Sequence, residues 1–500
     1  MALINIQNLT FAYEGSYDNI FENVSFQIDT SWKLGFTGRN GRGKTTFMNL
    51  LLGNYEYIGE ISASVNFQYF PHNIADKSSA TISVVEEVCP SFQEWGLMRE
   101  LSLLDVKEDV LHRPFETLSN GEQTKVLLAA LFLNDNNFLL IDEPTNHLDL
   151  SGREIVSRYL NSKSGFILIS HDRAFLDGCV DHILSINRTN IEIQRGNFTS
   201  WLANKERQDS FELTENEKLK KDIKRLKQAA KQNENWANKA ESAKMGKGAA
   251  KLRKKGHAGM DAMAYYGEKS RRKQQQRKNL ERRQQTAIED KSKLLKNLER
   301  SDSLKIKQLA YHKTQYCSLS GVSIYYGEKV VCKDISFTIE AGDRIALYGK
   351  NGSGKSSILK LLCGKNIPFE GELKVGSGLQ ISYVSQDTSY LHGNLSDFAS
   401  QHGIDESLFK AILRKLDFSR VQFEKDMQDF SSGQKKKVLI ARSLCERSHL
   451  LIWDEPLNSI DIISRMQIEE LLSEHKPTML FVEHDSVFIR TIATKKVGVL

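Results

Sequence analysis

The sequence predicts an α/β protein in which two similar domains are joined by a long α-helical hairpin. Motif residues of the N-terminal part recur 311 to 313 positions later, which indicates two copies of one domain. Each copy carries a glycine-rich loop between a short apolar strand and a helix, an order typical of α/β domains. The segment between the copies is basic and has apolar residues at helical spacing, which favours a helical linker.

The repeat determines the predicted domain boundaries. A chain of 500 residues is too long for one hydrophobic core. We therefore predict a first domain over residues 1–202, a linker over 203–304 with a glycine-rich tip near 244–268, and a second domain over 305–500. The recurring pairs are Tyr13 and Tyr326, Lys44 and Lys355, Ser119 and Ser431, Asp142 and Asp454, and His171 and His484.

Alternating apolar residues predict an N-terminal sheet with strands over Ile4–Leu9 and Val24–Ile28. The strand Lys33–Thr37 then runs into a glycine-rich loop and a helix over Thr46–Leu52, and the second copy repeats this order after Arg344–Tyr348. In such a loop, backbone N–H groups converge on phosphate, the lysine reaches its oxygens and the hydroxyl binds Mg²⁺. The predicted contacts are Gly38, Asn40, Gly41, Gly43, Lys44, Thr45 and Thr46 in the first copy, and Gly349, Asn351, Gly352, Gly354, Lys355, Ser356 and Ser357 in the second.

Two further apolar runs, typical of buried parallel strands, each lead into an Asp-Glu pair. They are Phe138–Ile141 with Asp142 and Glu143, and Leu450–Trp453 with Asp454 and Glu455. The pairs follow the loop lysines by 98 and 99 residues. The aspartate suits a ligand of Mg²⁺, and the glutamate can polarise the water that attacks a phosphate.

The composition argues against a secreted or membrane-spanning protein. The six cysteines are scattered, without the close pairs that hold zinc or a redox centre. No apolar run approaches the ~20 residues that span a bilayer. The N-terminus also lacks the basic and then apolar order of a secretion signal. We therefore expect a reduced cytoplasmic protein with no membrane partner.

Several motifs are similar to those of ABC-type ATPases. Leu118–Gln123 and Phe430–Lys435 resemble the signature motif of that family, and Asn146–Asp149 and Asn458–Asp461 its D-loop. The resemblance implies γ-phosphate contacts for Ser119, Gly121, Ser431 and Gly433, a catalytic switch role for His171 and His484, adenine stacking for Tyr13 and Tyr326, and Mg²⁺ sensing for Gln386. It implies ATP and Mg²⁺ as cofactors and ATP hydrolysis as the activity.

The resemblance also implies that each ATP site is shared between the two domains, so no partner subunit is needed and a monomer is expected. The first site would combine Gly38–Thr45, Asp142, Glu143 and His171 with Ser431 and Gly433, and the second Gly349–Ser356, Asp454, Glu455 and His484 with Ser119 and Gly121. Three positions depart from the family pattern. His72 stands where the second copy has Gln386, and Asn120 and Ser432 replace a signature glycine. We therefore predict that both sites hydrolyse ATP, at unequal rates.

The net positive charge of the chain is concentrated in the linker. Residues 201–300 hold 28 Lys and Arg against 14 Asp and Glu, a net charge of +14, whereas the whole chain carries +6. Apolar and small residues recur at spacings of four and three in its first half, which predicts a helix over about 204–243 that extends roughly 60 Å. Glycines then predict a tip, from which a second helix returns. Lysines with Met and Tyr between Lys244 and Tyr266 suit RNA phosphates and bases.

Two such domains fused through a basic helical linker resemble the ABC-F class of ribosome-associated ATPases, most closely the antibiotic-resistance members of the Lsa and Vga kind. The resemblance implies a linker that enters the ribosome from the tRNA exit site, beside large-subunit rRNA and the tRNA in the peptidyl site. The implied function is protection against lincosamides, streptogramin A compounds and pleuromutilins. The alternatives are a housekeeping ABC-F factor that relieves stalled ribosomes, the ATPase subunit of a drug exporter, and, for the linker, a solvated coiled coil that only tethers the domains.

Overall fold

The computed structural model describes residues 2–15, 19–134, 136–146, 148–186, 191–245, 308–327 and 329–499. The chain divides into two compact units, residues 1–201 with 302–500, and residues 202–301. The first unit contains both copies of the repeat. The predicted tip from residue 246 on and the predicted return helix lie outside the described residues. Within the described ranges, no helix is long and apolar enough to cross a bilayer.

The first copy of the repeat alternates strands with helices, as expected. Its strands are β1 Leu3–Phe11, β2 Phe21–Asp29, β3 Lys33–Thr37, β4 Ile58–Ser62, β5 Asn66–Phe70, β6 Asn137–Asp142, β7 Phe166–Ile169, β8 His182–Ile186 and β9 Ile191–Arg195. Its helices are α1 Lys44–Leu51, α2 Thr81–Val88, α3 Glu94–Leu103, α4 Asn120–Leu131, α5 Leu150–Asn161 and α6 Arg173–Cys179, with 3₁₀ turns at Glu108–His112 and Phe115–Thr117.

Two sheets enclose helix α1 in the first copy. One is antiparallel with the order β2-β1-β4, and the other has the order β5-β6-β7-β3-β8-β9, parallel except for β9. Phe47 and Met48 of α1 lie in one buried cluster with Ile6 of β1 and Phe36 of β3. The predicted N-terminal sheet and the predicted buried strand before Asp142 are thus confirmed.

A long helix, α7 Phe198–Met245, connects the first copy to the linker, and the second copy follows. The second copy has the strands β10 Gln315–Tyr326, β11 Lys329–Glu340, β12 Arg344–Tyr348, β13 Phe369–Val375, β14 Ile381–Val384, β15 Leu450–Asp454, β16 Met479–Val482 and β17 Lys495–Gly498. Its helices are α8 Lys355–Leu362, α9 Leu395–Gln401, α10 Glu406–Lys415, α11 Ser432–Cys445, α12 Ile462–His475 and α13 Ser486–Ile492, with 3₁₀ turns at Arg420–Glu424 and Met427–Asp429.

The second copy repeats the topology of the first. Its antiparallel sheet has the order β11-β10-β13, and its parallel sheet has the order β14-β15-β16-β12-β17. Because β12, β15 and β16 are parallel neighbours, their carboxyl ends meet at one edge of the sheet. The residues that follow these strand ends, and those that follow β3, β6 and β7, carry the predicted site motifs.

Helix α7 contains 48 residues and so extends roughly 70 Å. It includes the helix that the sequence predicts over about 204–243. In the predicted apolar seam, Leu219 is half-buried and Ile223 is 9% exposed. The side chains of the seam from Leu226 on lie outside those described.

Candidate nucleotide-binding sites

Each glycine-rich loop wraps around the lysine that follows it. Gly43, at φ 89°, precedes helix α1, and a Cβ at this position would lie 2.5 Å from the Cγ2 of Ile20. The Lys44 ammonium donates to the carbonyl oxygens of Gly38 at 2.7 Å and Arg39 at 3.1 Å. Burial lowers the pKa of Lys44. The loop backbone therefore holds this ammonium at the amino end of α1, where helix N–H groups also favour an anion.

The second loop repeats this geometry. Gly354 has φ 88° at the start of α8, and Lys355 donates to the carbonyl oxygens of Gly349 at 2.9 Å and Lys350 at 2.8 Å. Burial lowers the pKa of Lys355. Both loops thus present one ammonium and a helix terminus to a phosphate.

Each loop hydroxyl contacts the aspartate that ends the neighbouring strand. Thr45 donates to Asp142 at 3.1 Å, and Ser356 donates to Asp454 at 3.0 Å. The Tyr69 hydroxyl donates to the same Asp142 oxygen, Oδ2, at 3.0 Å. Hydroxyl and carboxylate oxygens are the hard ligands that Mg²⁺ prefers, so these residues fit that ion.

The tyrosine contacts allow a test of the Mg²⁺ assignment. Tyr69→Phe removes a donor that orients Asp142, and such outer contacts typically change metal affinity by about 10–100-fold. In the background of Glu455→Gln, where the remaining hydrolysis reports the first site, we expect the Mg²⁺ concentration for half-maximal ATP hydrolysis to rise by about tenfold. Tyr383→Phe in the background of Glu143→Gln is the matched comparison, since Tyr383 is 3.4 Å from Asp454, and it should have the smaller effect. An unchanged Mg²⁺ dependence in Tyr69→Phe would reject the assignment.

Each glutamate after the aspartate faces a histidine. The atoms Glu143 Oε1 and His171 Nε2 are 3.3 Å apart, and Glu455 Oε1 and His484 Nε2 are 3.4 Å apart. Glu143 and Glu455 have φ of 50° and 46°, in the left-handed region that costs a side-chain-bearing residue energy. Burial and the nearby Lys44 ammonium lower the pKa of His171 well below its ordinary value, so its imidazole is neutral.

The two glutamates differ in their hydrogen bonds. Glu455 Oε2 accepts from Gln386 at 3.0 Å and from Asn458 at 2.6 Å. Glu143 Oε1, by contrast, is buried without a hydrogen-bond partner among the described residues, and His72 does not line its cavity. The second site therefore orients its carboxylate with two amide donors. In the first site Asn146, the equivalent of Asn458, lines the cavity, but among the described contacts no amide side chain donates to Glu143.

The pKa values of the two glutamates also differ. Burial and the adjacent Asp142 carboxylate raise the pKa of Glu143 to about 8. Burial also opposes ionisation of Glu455, but His484, Lys355 and Asn458 lower the pKa of this carboxyl below its ordinary value. Glu455 is therefore ionised at neutral pH, whereas most of Glu143 carries a proton.

The predicted site residues converge from both domains onto two cavities. The first, of about 330 Å³, is lined by Asn40, Gly41, Gly43, Lys44, Thr45, Thr46, Asp142, Glu143 and His171 with Ser431 and Gly433. The second, of about 730 Å³, is lined by Asn351, Gly352, Gly354, Lys355, Ser356, Ser357, Gln386, Glu455 and His484 with Ser119 and Gly121. Each phosphate loop thus lies opposite the signature motif of the other copy.

Some predicted residues lie beside the cavities and not in their walls. Tyr13 and Tyr326 are about half exposed, and their hydroxyls contact Thr46 at 2.7 Å and Ser357 at 3.2 Å. Gly38, Gly349 and Asp454 are likewise absent from the lining residues. His147 of the predicted D-loop lies outside the described residues.

Contacts between the domains pass through the loops. Asn40 Nδ2 donates to the Ser459 carbonyl at 2.9 Å, and Arg39 lies 2.6 Å from Asp417. Ser431 caps helix α11 by accepting from the Gln434 N–H at 3.3 Å. Helix α4 is capped in the same way by Ser119. Each signature serine therefore lies at a positive helix end that faces a phosphate loop.

Sequence reasoning missed four contacts at the sites. They are Tyr69 and Tyr383 on the aspartates, the Asn458 amide on Glu455, and the Arg39 and Asp417 pair. The tyrosines recur 314 positions apart, so the repeat itself carried a signal for them. Asn458 was assigned to a motif but not to the glutamate, because a turn with Ser459 at φ 63° brings them together.

Comparisons of the sequence with known proteins agree with this geometry. A profile of the family described as ABC transporter matches residues 21–146 and 332–458. The ribosome protection protein VmlR of Bacillus subtilis (strain 168) is 27% identical over 99% of this chain and 86% of that protein. The ATP-binding protein Uup of Buchnera aphidicola is 26% identical over 99% of this chain and 80% of that protein. The probable ATP-binding protein YheS of Escherichia coli (strain K12) is 26% identical over 94% of this chain and 75% of that protein.

Solved structures align with nearly the whole length of the chain. The archaeal ribosome recycling factor aABCE1, in complex with the ribosomal stalk protein aP1, aligns with a TM-score of 0.64 at 17% identity, over 98% of this chain and 87% of that one. A structure of RNase-L inhibitor aligns with a TM-score of 0.61 at 18% identity, over 98% and 87%. At these identities, the likeness shows a shared fold.

Proposed function

This chain belongs to the ABC transporter family, in its ABC-F class, and we propose that it is a ribosome-binding ATPase that protects the ribosome against antibiotics of the peptidyl-transferase centre. The proposed drug classes are lincosamides, streptogramin A compounds and pleuromutilins. The supporting observation is the similarity to a ribosome protection protein along 99% of the chain, which includes the linker between the ATPase domains.

In the proposed reaction, each ATP lies between the phosphate loop of one domain and the signature motif of the other. Lys44 and Lys355 hold the phosphates, and Ser431 and Ser119 contact the γ-phosphate from the opposite domain. Bound Mg²⁺, held by Thr45 with Asp142 and by Ser356 with Asp454, would neutralise phosphate charge. ATP thus clamps the two domains together, and hydrolysis releases them.

The water that attacks the γ-phosphate gives up its proton to a glutamate in each site. Glu143 and Glu455 lie where a carboxylate can accept this proton, each beside its histidine. The amide donors on Glu455 fix its carboxylate in one orientation, so we propose that the second site hydrolyses ATP faster than the first.

The linker is the proposed contact with the ribosome. Its net charge of +14 suits rRNA and tRNA phosphates, and helix α7 alone extends roughly 70 Å. We propose that it enters from the tRNA exit site towards the tRNA in the peptidyl site. The role of the tip between Lys244 and Tyr266 remains part of this proposal.

A housekeeping ABC-F factor that relieves stalled ribosomes is the second candidate. It is favoured by the similar identity, 26%, to proteins named only as ATP-binding, such as Uup and YheS. An exporter subunit is the less supported alternative, because the similarity extends across both domains and the linker of one chain.

Drug protection is tested by expressing the chain in a drug-sensitive strain. We expect the inhibitory concentrations of a lincosamide, a streptogramin A compound or a pleuromutilin to rise several-fold. The chain with both Glu143→Gln and Glu455→Gln is the matched control and should give no protection, since it cannot release ATP. No rise with any of these drugs, while the protein still sediments with ribosomes, would favour the housekeeping function. Protein found with membranes and absent from ribosomes would support the exporter.

A further inference from the structure

Helix α6 begins directly after the histidine of the first ATP site. His171 lies 3.3 Å from Glu143. Asp172 then caps the helix by accepting from the Phe175 N–H at 3.0 Å. With only seven residues, α6 is about 10 Å long, so a displacement of one end moves the other.

The amino end of α6 is bound to the second domain. The Arg173 guanidinium donates to Glu469 of helix α12 through both of its terminal nitrogens, one of them at 3.1 Å. It also lies 3.8 Å from Asp485, the residue after His484. Arg173 and Glu469 are only 8% and 7% exposed. Because a buried charge that loses its partner is strongly unfavourable, α6 must follow this part of the second domain while the domains are closed.

The other half of α6 is bound to the start of helix α7. The Asp177 carboxylate accepts from the Thr199 N–H at 2.8 Å and from the Thr199 hydroxyl. Thr199 lies in the first turn of α7, beside Phe198 and Trp201, which are 1% and 4% exposed. The first turn of the linker helix is therefore held by α6 through a charged hydrogen-bond acceptor.

The second copy of the repeat provides an internal comparison. Its equivalent helix, α13, has Ser486 in place of Arg173 and Arg490 in place of Asp177. In the first copy, Ser157 stands at the position equivalent to Glu469. Among the described contacts, Arg490 donates to the Ser486 carbonyl at 3.3 Å within its own helix. The contacts of Arg173 with Glu469 and of Asp177 with Thr199 thus occur in the copy that is followed by the linker.

We infer that Arg173 and Asp177 are positioning residues that couple the first ATP site and the second domain to the base of the linker helix. Domain closure places Glu469 against Arg173, and α6 passes this displacement to Thr199 at the start of α7. The purpose of this movement, which is to place the linker in the ribosome, rests on the proposed function. The movement itself requires no ribosome. It assigns to the first ATP site a mechanical role that the second site lacks.

The coupling is tested by measuring a distance in the full chain by pulsed electron spin resonance. Spin labels are placed at two exposed positions, Glu154→Cys in α5 and Lys221→Cys in α7, in the background of Glu143→Gln and Glu455→Gln. ATP with Mg²⁺ is expected to shift the distance distribution. Asp177→Ala or Thr199→Val should reduce the ratio of shifted to unshifted molecules by about fivefold, the usual effect of one hydrogen bond.

Matched variants separate this role from a general loss of structure. Thr199→Ser keeps the hydroxyl and should keep the shift, as should Arg490→Ala at the equivalent position of α13. Arg173→Ala should lose the shift while ATP still binds at the first site, and Arg173→Lys should restore part of it. A parent protein without an ATP-dependent shift, or a full shift in both Asp177→Ala and Thr199→Val, would overturn the inference.

The result is independent of drug protection. If the shift depends on Asp177 but the parent chain protects against no drug, the coupling stands and the proposed function fails. The opposite outcome is that the parent chain protects against a drug, while Asp177→Ala shows the full ATP-dependent shift and protects equally well. In that case the coupling fails and the proposed function stands.

Discussion

ATP hydrolysis is expected to fall by about 10²- to 10⁴-fold when Glu143 and Glu455 are both replaced by Gln, because each site loses the group that accepts the proton of the attacking water. The single variants should differ. Glu455→Gln removes most of the turnover, since Glu455 is held by Gln386 and Asn458 and its pKa is lowered. Glu143→Gln leaves most of it, because the pKa of Glu143 is raised to about 8.

Steady-state phosphate release at saturating ATP measures these rates. Binding of labelled ATP by the variants is the control. An amide in place of the carboxyl preserves the shape of both cavities, so ATP binding should persist. Equal residual turnover in the two single variants would contradict the asymmetry. Undiminished turnover in the double variant would reject the role of both glutamates.

Gly433→Ala is expected to prevent closure at the first site. A Cβ on Gly433 would lie closer than 3.0 Å to the Ser459 carbonyl oxygen of the same domain and 3.2 Å from the Asn40 Nδ2 of the first domain, which donates to that oxygen. Overpacking of this kind costs about 1–3 kcal/mol, which is about 5- to 150-fold in the closing equilibrium. The change should therefore disrupt the hydrogen bond that joins the phosphate loop of the first domain to Ser459 of the second.

Trapping of ATP in the background of Glu143→Gln and Glu455→Gln measures closure. We expect Gly433→Ala to trap one ATP per chain where the parent traps two. Ser432→Ala, at the exposed neighbouring position, is the control and should trap both. Two trapped ATP molecules in Gly433→Ala would show that this close approach is not required for closure.

The repeated motifs could be predicted from the sequence because each is formed by a short stretch of chain. A glycine-rich loop, a buried strand and the acidic pair at its end depend on residues close together in the chain. The constant offset between Lys44 and Lys355 then indicated two such domains. Parallel pairing of β6 with β7 brought Asp142 and His171 to one edge, as strand order in α/β sheets predicts.

The differences between the two sites were only partly visible in the sequence. The change from Gln386 to His72 indicated asymmetry, but not its direction. Only the structure shows that Asn458 as well as Gln386 donates to Glu455, while among the described contacts no amide side chain donates to Glu143. Glu455 at φ 46° and Ser459 at φ 63° lie in the left-handed region on both sides of Asn458, and no glycine in this stretch indicates such a turn.

The sequence by itself determined the repeated α/β architecture, the motifs that line the two candidate nucleotide sites and the basic character of the linker, because periodicity, spacing and charge act over short stretches of chain. The tertiary structure alone decided that helix α6 contacts both the second domain and the start of the linker helix. Arg173 and Glu469 are 296 positions apart, and Asp177 and Thr199 are 22 apart. Such pairs form because folding places two helices side by side, and no local preference of either residue anticipates its partner.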